Sequence, residues 1–360
     1  MLSLTTAGES HGPALVAILS GLPAGLVLDH DAINADLRRR QQGYGRSPRQ
    51  QLEHDEVEVL AGLRHGRTLG TPLALVVRNR DHKNWAWGMS PWAPEGEPEG
   101  KGTKPVTLPR PGHADLAGAQ KFGLADVRDA LERASARQTA VSVAAGAVAK
   151  ALLAEIGVAV RGEARAEAGA DEIEVEEARA ERDTLGGVVE VRAQGVSPGL
   201  GSYATKEERL DARLAAALMG IQAVKGVEIG EGFGLAGMRG SEAHDEIVRD
   251  EGGLHRTSNR AGGVEGGVSN GEELVVRAAM KPLPTLMQPL ASVDLETGEP
   301  GEALVERSDV SAVEALAVVA EAAVAWELAR AAREKFGGDA LGDFLAAHKA
   351  YLERIDWHQR

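Results

Sequence analysis

Two long segments that are apolar on nearly every side constrain the fold of this chain more than any other feature. The first runs from Asp126 to Ile156, is built mainly from Ala, Val and Leu, and is ended by Gly157. The second is an Ala-rich segment that runs from Ser311 to about Gly337. A helix without a polar face must be covered by other elements on all its sides. We therefore expect both segments to be long helices buried in the middle of the fold.

Composition excludes several classes of function. The chain has 360 residues, of which 43% are hydrophobic and 26% are charged, as in an ordinary globular protein. A net charge of -14 disfavours nucleic acids and anionic membranes as partners. The absence of cysteine excludes disulfides, thiolate zinc sites and cysteine nucleophiles. The first residues lack the basic region of a signal peptide and no apolar run is long enough to span a membrane, so we expect a cytoplasmic protein.

The first predicted strand, Leu2 to Thr6, runs into a loop with the sequence Gly8-Glu9-Ser10-His11-Gly12. This is formally the G-x-S-x-G pattern of serine hydrolases, in which a strand-to-helix turn exposes the serine. Such an elbow needs earlier strands to build the sheet, and only seven residues precede Gly8. A serine or phosphate-ester hydrolase that uses Ser10 is the alternative function that this pattern leaves open, beside a non-catalytic anion-binding module.

A cluster of arginines predicts an anion site early in the chain. A helix capped by Asp29 or Asp31 and ending by Gly43 carries Arg38 to Arg40 in its last turn, and Arg46 and Arg49 follow in a glycine loop. No acid falls between Asp36 and Glu53. Guanidinium groups bind phosphate and carboxylate through paired hydrogen bonds, so these five arginines are suited to a multiply charged ligand.

Two further motifs contain charged and hydrogen-bonding residues that are candidates for a functional site. Pro111-Gly112 is a turn dipeptide that presents His113 on a loop between Arg110 and Asp115, where an imidazole can hold and pass on a proton. In the first apolar helix Arg133 and Arg137 are four residues apart, which predicts that they share a face, with Ser135 offset from them. Arginines on such a helix must find an anion, either an acidic side chain or a ligand.

Taken together, the motifs resemble those of the chorismate synthase family, in the same order over almost the full chain. The resemblance rests on Gly8-Glu9-Ser10-His11-Gly12, the loop with Arg40, Arg46 and Arg49, Arg110-Pro-Gly-His-Ala-Asp115, Arg133-Ala-Ser-Ala-Arg137, Gln222-Ala-Val-Lys-Gly-Val-Glu-Ile-Gly230, the glycine run from Gly262 to Gly271, Lys281-Pro and Arg307-Ser-Asp309.

The fold that this resemblance implies is a single α+β domain over residues 1–360, a β-α-β sandwich with long central helices between antiparallel sheets. The implied assembly is a homotetramer. The buried helices expected from the two apolar segments agree with such a layered architecture.

The implied activity is that of a carbon-oxygen lyase acting on phosphates. It converts 5-enolpyruvylshikimate 3-phosphate to chorismate and phosphate by a 1,4-anti elimination that needs reduced FMN, as the last step of the shikimate pathway. By the same resemblance the catalytic residues are His11, which protonates the leaving phosphate, His113, which holds a proton at the flavin, and Asp309, which assists removal of the substrate hydrogen.

The binding residues that the resemblance implies fall into two sets. The substrate set is Arg40, Arg46, Arg49, Arg110, Arg137 and Arg307, and the flavin set is Arg133, Ala134, Ser135, Gln222, Ala223, Gly267, Lys281, Thr285 and Arg307. Gln222 departs from the asparagine that is frequent in the family at this flavin contact. No metal ligand set is expected. The sequence shows no dedicated reductase domain, so we expect a separate NAD(P)H-dependent flavin reductase as partner.

Overall fold

Two four-stranded antiparallel sheets enclose a layer of helices in the computed structural model, which describes residues 1–46, 54–165, 171–250, 253–306 and 309–356. Within these ranges the helices are α1 (His30–Gln41), α2 (Asp115–Phe122), α3 (Arg128–Ala134), α4 (Thr139–Ala154), α5 (Glu172–Glu181), α6 (Leu210–Met219), α7 (Gly240–Ala243), α8 (Val313–Phe336) and α9 (Leu341–Ile355). Short 3-10 helices span Arg80–Asn84, Ala136–Gln138 and Gly232–Gly237.

The strands form two main sheets and several small hairpins. They are β1 (Ser3–Ala7), β2 (Ala14–Ser20), β3 (Val57–Ala61), β4 (Leu63–Arg64), β5 (Arg67–Thr68), β6 (Leu73–Arg78), β7 (Ala159–Ala164), β8 (Gly187–Gln194), β9 (Val224–Ile229), β10 (Ile247–Asp250), β11 (Gly253–Arg256), β12 (Val264–Glu265), β13 (Val268–Ser269), β14 (Leu274–Met280), β15 (Ala291–Val293) and β16 (Pro300–Glu302). The first sheet has the order β1-β2-β6-β3 and the second has the order β7-β8-β14-β9. All neighbours in both sheets are antiparallel.

The central layer consists of α4 and α8, which pack against each other over most of the length of α4. Helix α4 also contacts β2 and β6 of the first sheet, and α8 contacts β7 and β8 of the second. Twelve of the sixteen residues of α4 are buried, from Thr139 to Leu153. This arrangement confirms the predicted α+β class and the sandwich of helices between antiparallel sheets.

Small side chains let the layers approach closely. A Cβ atom on Gly146 of α4 would lie 2.3 Å from Cβ of Ala322 on α8, and one on Gly162 of β7 would lie 2.2 Å from the carbonyl oxygen of Ala317. Because interiors are packed at the density of organic crystals, such positions have no room even for a methyl group. The high alanine and glycine content of these segments therefore sets the spacing between the layers.

One local prediction of secondary structure differs from the structure. The segment from Asp126 to Ile156 is not one helix: α3 ends at Ala134, and α4 begins only at Thr139. The predicted first strand is present as β1, and the helix predicted after Asp29 is α1, whose first N–H groups donate to the Asp29 side chain. No helix among the described residues is long and apolar enough to cross a membrane.

Candidate active site

The turn between β1 and β2 carries Ser10 and His11. Gly8 begins this turn with a φ of 115°, and a Cβ at that position would lie 2.5 Å from the Ala14 carbonyl oxygen, so the turn needs glycine. The backbone N–H of Ser10 donates to the Glu132 carbonyl (3.1 Å), and that of His11 donates to Oε2 of Glu132 (2.8 Å). Nδ1 of His11 lies 2.8 Å from Oε1 of the same carboxylate. Helix α3 therefore holds this turn in place.

The structure lacks, at Ser10, the strand-to-helix turn that the hydrolase hypothesis requires. A nucleophile elbow joins a strand to a helix, whereas this turn joins two adjacent antiparallel strands, β1 and β2. The Ser10 side chain is buried, and its Oγ accepts a hydrogen bond from Oγ of Ser135 at 3.2 Å.

The break between α3 and α4 lies at Ser135. This residue leaves the helical region, with φ -64° and ψ 141°, and its Oγ accepts a hydrogen bond from the Arg137 N–H. The break separates the two arginines that were predicted to share one face. Arg133 donates to the carbonyls of Gly8 (3.1 Å) and Thr6 (3.0 Å), whereas Arg137 faces the cavity described below.

A buried carboxylate, that of Asp55, holds two of the predicted substrate arginines. Nη1 of Arg40 lies 3.1 Å from Oδ2 of Asp55, and Nη1 of Arg137 lies 2.5 Å from Oδ1. Arg40 also donates to Oγ1 of Thr139 (2.8 Å), and Arg137 donates to Oδ1 of Asn79 (2.9 Å). Burial lowers the pKa of Arg40 to about 10 against the field of Asp55, so this guanidinium remains a cation near neutral pH.

A second ion pair joins Arg46 to Asp309. Nη1 of Arg46 lies 2.7 Å from Oδ2 of Asp309, and Nε of Arg46 is buried without a hydrogen-bond partner among the described residues. Arg38 and Arg39 of the predicted cluster do not join them: Arg38 is exposed, and Arg39 pairs with Glu321 of α8. The sequence pattern could not separate these residues because all of them lie in one helix end and one loop.

The Arg110, His113 and Asp115 side chains form a hydrogen-bonded cluster. Oδ2 of Asp115 accepts from the backbone N–H (3.0 Å) and Nε (2.9 Å) of Arg110, and Oδ1 lies 2.5 Å from Nδ1 of His113. Burial would raise the pKa of Asp115, but the hydrogen bonds from His113 and Arg110 hold it well below its usual value. Nη1 of Arg110 donates to Oγ1 of Thr285 (2.9 Å). His113 lies on a loop, as predicted.

The segment before β9 and the segment after β14 meet at the same place. Ala223 has a φ of 68°, a conformation that residues other than glycine rarely adopt, and its carbonyl accepts from the Lys281 N–H (3.0 Å). Nε2 of Gln222 donates to Oε1 of Gln138 (3.1 Å). Nζ of Lys281 donates to the Gly112 carbonyl (2.8 Å), and burial together with Lys225 lowers the pKa of Lys281.

All these elements surround one cavity of about 490 Å³, a size suited to a small-molecule ligand. Thr139 at the start of α4 and Ala312 and Ala315 at the start of α8 line it, so the N-termini of both helices, which favour anions, border the cavity. Its apolar wall is formed by Leu131, Ile221, Met280, Leu283, Leu316 and Val319. Its polar wall includes Ser10, His11, Arg40, Arg46, Arg110, His113, Ser135, Arg137, Gln222, Lys281, Thr285, Glu306 and Asp309.

The structure thus brings most of the predicted site residues to one cavity, including Ala134 and Ala223. Two predicted flavin contacts do not line it. Arg133 is held by backbone carbonyls of the β1 segment, and Gly267 lies in the turn between β12 and β13, where a Cβ would meet the Arg209 side chain at 2.6 Å. Arg49 and Arg307 lie outside the described residues.

Sequence reasoning missed two carboxylates of the site, Asp55 and Glu132. Both side chains are fully buried and each is paired with a cavity residue. Asp55 precedes β3 in an acidic stretch that has no recognisable pattern. Glu132 is adjacent to the motif that begins at Arg133, but in the sequence it cannot be distinguished from an acidic residue on the exposed side of a helix. Within the described ranges no group of three or more histidine, aspartate or glutamate side chains is arranged to hold a metal ion.

Comparisons with known proteins show which family the chain resembles. The sequence profile of a family described as chorismate synthase matches residues 2–332. A chorismate synthase of Desulforudis audaxviator is 53% identical over 99% of this chain and 98% of its own, and one of Rubrobacter xylanophilus is 53% identical over 98% and 96%. A solved structure titled "Crystal Structure of Chorismate Synthase" has a TM-score of 0.78 and 37% identity, and the match covers 99% of this chain and 98% of the other.

None of these comparisons supports the hydrolase alternative. The family comprises lyases of aromatic amino-acid biosynthesis that work with a flavin. With a profile match over nine tenths of the chain and relatives above 50% identity, the chain belongs to the chorismate synthase family.

Proposed function

We propose that the cavity binds 5-enolpyruvylshikimate 3-phosphate beside reduced FMN and eliminates phosphate to form chorismate. The observation that carries this proposal is the convergence of two imidazoles, each held by a buried carboxylate, with four arginines and a lysine around one cavity. The substrate has a phosphate and two carboxylates. A cluster of cations at the positive ends of two helices is suited to such a ligand in a protein whose net charge is -14.

The arginines are assigned to the substrate's anionic groups. Arg40 and Arg137 both pair with Asp55, which holds the two guanidinium groups side by side at the cavity wall. Nε of Arg46 has no hydrogen-bond partner among the described residues, and Arg110 lines the cavity beside His113. Arg49 and Arg307 remain in the proposed substrate set on the strength of the sequence motifs.

His11 is the proposed proton donor to the leaving phosphate. Its Nδ1 is engaged by Glu132, and Nε2 has no hydrogen-bond partner among the described residues. The electron pair of the breaking C–O bond leaves with the phosphate, and a proton from Nε2 of His11 neutralises charge on a phosphate oxygen. The carboxylate of Asp309 assists removal of the substrate hydrogen as a proton.

The residues of the cavity fit a flavin. The apolar wall suits a flat ring system, and Ala134, Ser135, Gln222, Ala223, Lys281 and Thr285 border the same space. When bound, reduced FMN supplies electron density to the breaking C–O bond and recovers it afterwards. His113 holds a proton beside the cofactor, and its ring is fixed by Asp115 at Nδ1. The contacts of Arg133 and Gly267 with the cofactor stay predictions, since neither residue lines the cavity in a single chain.

We also propose that the protein is a single-domain, cytoplasmic homotetramer that obtains reduced flavin from a separate NAD(P)H-dependent reductase. The membership in the family supports the assembly. The aromatic side chains that are most exposed within the described ranges, Trp92, Tyr203 and Phe233, are candidates for burial in subunit contacts. Light scattering of the purified protein tests the tetramer directly.

The activity is tested by anaerobic turnover of 5-enolpyruvylshikimate 3-phosphate, with chorismate absorbance and phosphate release followed together. We expect turnover with FMN reduced by dithionite and none with oxidised FMN. Replacement of dithionite by NADPH then shows whether the chain reduces its own flavin, and we expect no turnover without an added reductase. Folded protein that forms no chorismate with reduced FMN would refute the proposed activity.

A further inference from the structure

We infer that Glu132 is the positioning residue that orients the His11 imidazole and keeps its proton-donating nitrogen directed at the cavity. This inference rests on the proposed role of His11 in the elimination. The Glu132 side chain is fully buried, whereas His11 lines the cavity. Glu132 itself is not part of the cavity wall, so it acts on the reaction only through the imidazole.

Both oxygens of the Glu132 carboxylate are used by one residue. Oε1 lies 2.8 Å from Nδ1 of His11, and Oε2 accepts the backbone N–H of His11 at 2.8 Å. This two-point contact fixes the backbone of the turn and the rotation of the ring together. A buried carboxylate accepts hydrogen bonds and donates none, so Nδ1 must carry the proton in this contact.

A stacked aromatic ring also restrains the imidazole. The Trp85 indole stacks on the imidazole with ring centroids 4.0 Å apart and an interplanar angle of 19°. The Trp85 indole is in turn covered by the Arg128 guanidinium, which lies 5.1 Å from its ring centroid. The backbone of His11 is held as well, since Nδ1 of His82 lies 2.9 Å from the His11 carbonyl oxygen. The imidazole therefore has one nitrogen held by Glu132 and its other nitrogen, Nε2, left for the cavity.

This arrangement specifies the protonation of His11 before and after the proton transfer. In the imidazolium form both nitrogens carry a proton, and the negative charge of Glu132 stabilises the cation. After Nε2 gives its proton to the phosphate oxygen, the neutral ring retains the proton on Nδ1, still donated to Glu132. The carboxylate keeps its charge throughout, as the acidic partner of a histidine does in a catalytic triad.

Pairing with Arg128 is not the main interaction of the Glu132 carboxylate. Nη1 of Arg128 lies 3.8 Å from Oε1 of Glu132, which is an ion pair without a hydrogen bond. Nε and Nη1 of Arg128 have no hydrogen-bond partner among the described residues. The two short contacts of the carboxylate are both with His11, and these are what a positioning role requires.

The tautomer is measured first, by 15N NMR of the full-length protein labelled at histidine, with the His11 signals assigned by their loss in His11→Ala. At a pH where the ring is neutral, we expect the proton on Nδ1 in the unmodified protein. A neutral His11 with its proton on Nε2 would overturn the inference without any variant of Glu132.

The variant Glu132→Gln tests whether this two-point contact with His11 matters for turnover. A glutamine has one acceptor oxygen and one donor amide, so it cannot serve both the ring Nδ1–H and the backbone N–H of His11. We expect a larger share of the Nε2–H tautomer and a fall in kcat on the order of 10²-fold, with KM changed by less than about 3-fold. Glu132→Asp keeps the charge on a shorter side chain, and we expect it to restore part of the lost kcat.

A control variant separates positioning from the general loss of a buried carboxylate. Glu190 on β8 is also buried, and it accepts from Nε of Arg277 at 2.8 Å outside the cavity wall. We expect Glu190→Gln to keep the kcat of the unmodified protein, with folding of every variant checked by circular dichroism.

The outcomes also separate this inference from the proposed function. If the unmodified protein forms no chorismate with reduced FMN, the proposed function fails, whereas the tautomer measurement still stands on its own. If it turns over and Glu132→Gln retains kcat within about 2-fold, the proposed function survives and the positioning role of Glu132 is refuted.

Discussion

Nδ1 of His113 lies 2.5 Å from Oδ1 of Asp115, a carboxylate with no exposed surface. The second oxygen of Asp115 accepts from the backbone N–H and from Nε of Arg110. One buried anion therefore joins a candidate catalytic histidine to a candidate substrate arginine. Burial opposes the charge on Asp115, but these hydrogen bonds outweigh it and lower the pKa of the carboxyl group.

The depressed pKa of Asp115 predicts a stability that depends on pH. Asp115→Asn leaves Arg110 and His113 without their anion, so we expect a loss of about 3–5 kcal/mol in the free energy of unfolding near neutral pH. A carboxyl group with a lowered pKa in the folded state stabilises above its unfolded pKa, and this contribution is lost as the pH falls below about 4. Urea denaturation at several pH values measures the free energy of unfolding of both proteins. If the difference in this free energy between Asp115→Asn and the unmodified protein stays constant down to acid pH, this account is contradicted.

Asp55 is expected to matter for substrate binding although it was not predicted from the sequence. In Asp55→Asn the guanidinium groups of Arg40 and Arg137 lose their common anion and repel each other. We expect kcat/KM for 5-enolpyruvylshikimate 3-phosphate to fall by about 10- to 100-fold, equivalent to about 1.4–2.7 kcal/mol.

The matched control for Asp55 is Glu58→Gln. Glu58 pairs with Arg78, and both side chains are about half exposed, so this pair contributes little to stability or to the site. We expect kcat/KM within about 2-fold of the unmodified protein. Equal effects of Asp55→Asn and Glu58→Gln would show that the bridge at Asp55 does not orient the arginines.

The two residues of the β1–β2 turn should respond differently to substitution. His11→Ala removes the proposed proton donor, and we expect a loss of turnover of about 10²- to 10⁴-fold. Ser10→Ala removes a hydroxyl that contacts Ser135, and we expect a smaller loss. Steady-state kinetics with reduced FMN compares the two variants. A larger loss for Ser10→Ala would reopen the hydrolase-like role of that serine.

The contact between α4 and α8 predicts a position where even one methyl group is destabilising. Gly146→Ala would place a Cβ 2.3 Å from that of Ala322, so the helices must move apart, and we expect a loss of about 1–3 kcal/mol of folding stability. Gly342→Ala on α9 is the control, since a Cβ there meets nothing within 4 Å, and alanine in a helix is favoured by up to about 1 kcal/mol. Chemical denaturation of the two variants should therefore show opposite signs.

Features that depend on neighbouring residues were predictable from the sequence. The all-apolar composition of the α4 and α8 segments specified buried helices because no polar face was available for solvent. Pro111-Gly112 specified a turn, and His113 does lie on that loop. Asp29 was named as one possible cap for α1 and does accept hydrogen bonds from its first turn.

Features that depend on partners distant in the chain were not predictable from the sequence. The helix break at Ser135 was missed because the segment around it has good helical propensity, whereas the structure uses the serine to cap a new turn and to direct Arg137 into the cavity. Arg38, Arg39 and Arg40 are adjacent and chemically alike, yet only Arg40 reaches the site. Its direction is decided by Asp55 and Thr139, which no local pattern connects to it.

The sequence by itself determined the buried helices, the turns that carry the histidines and the order of motifs that resembles the family, since hydrophobic pattern, turn chemistry and motif order are local or linear properties. The layered α+β architecture was implied by that resemblance. Only the tertiary structure decided which carboxylate each cation receives. Glu132 is 121 residues from His11 in the chain, and Asp55 is 82 residues from Arg137. A buried charge must be paired wherever the fold brings an opposite charge close, so these partners follow from packing in three dimensions.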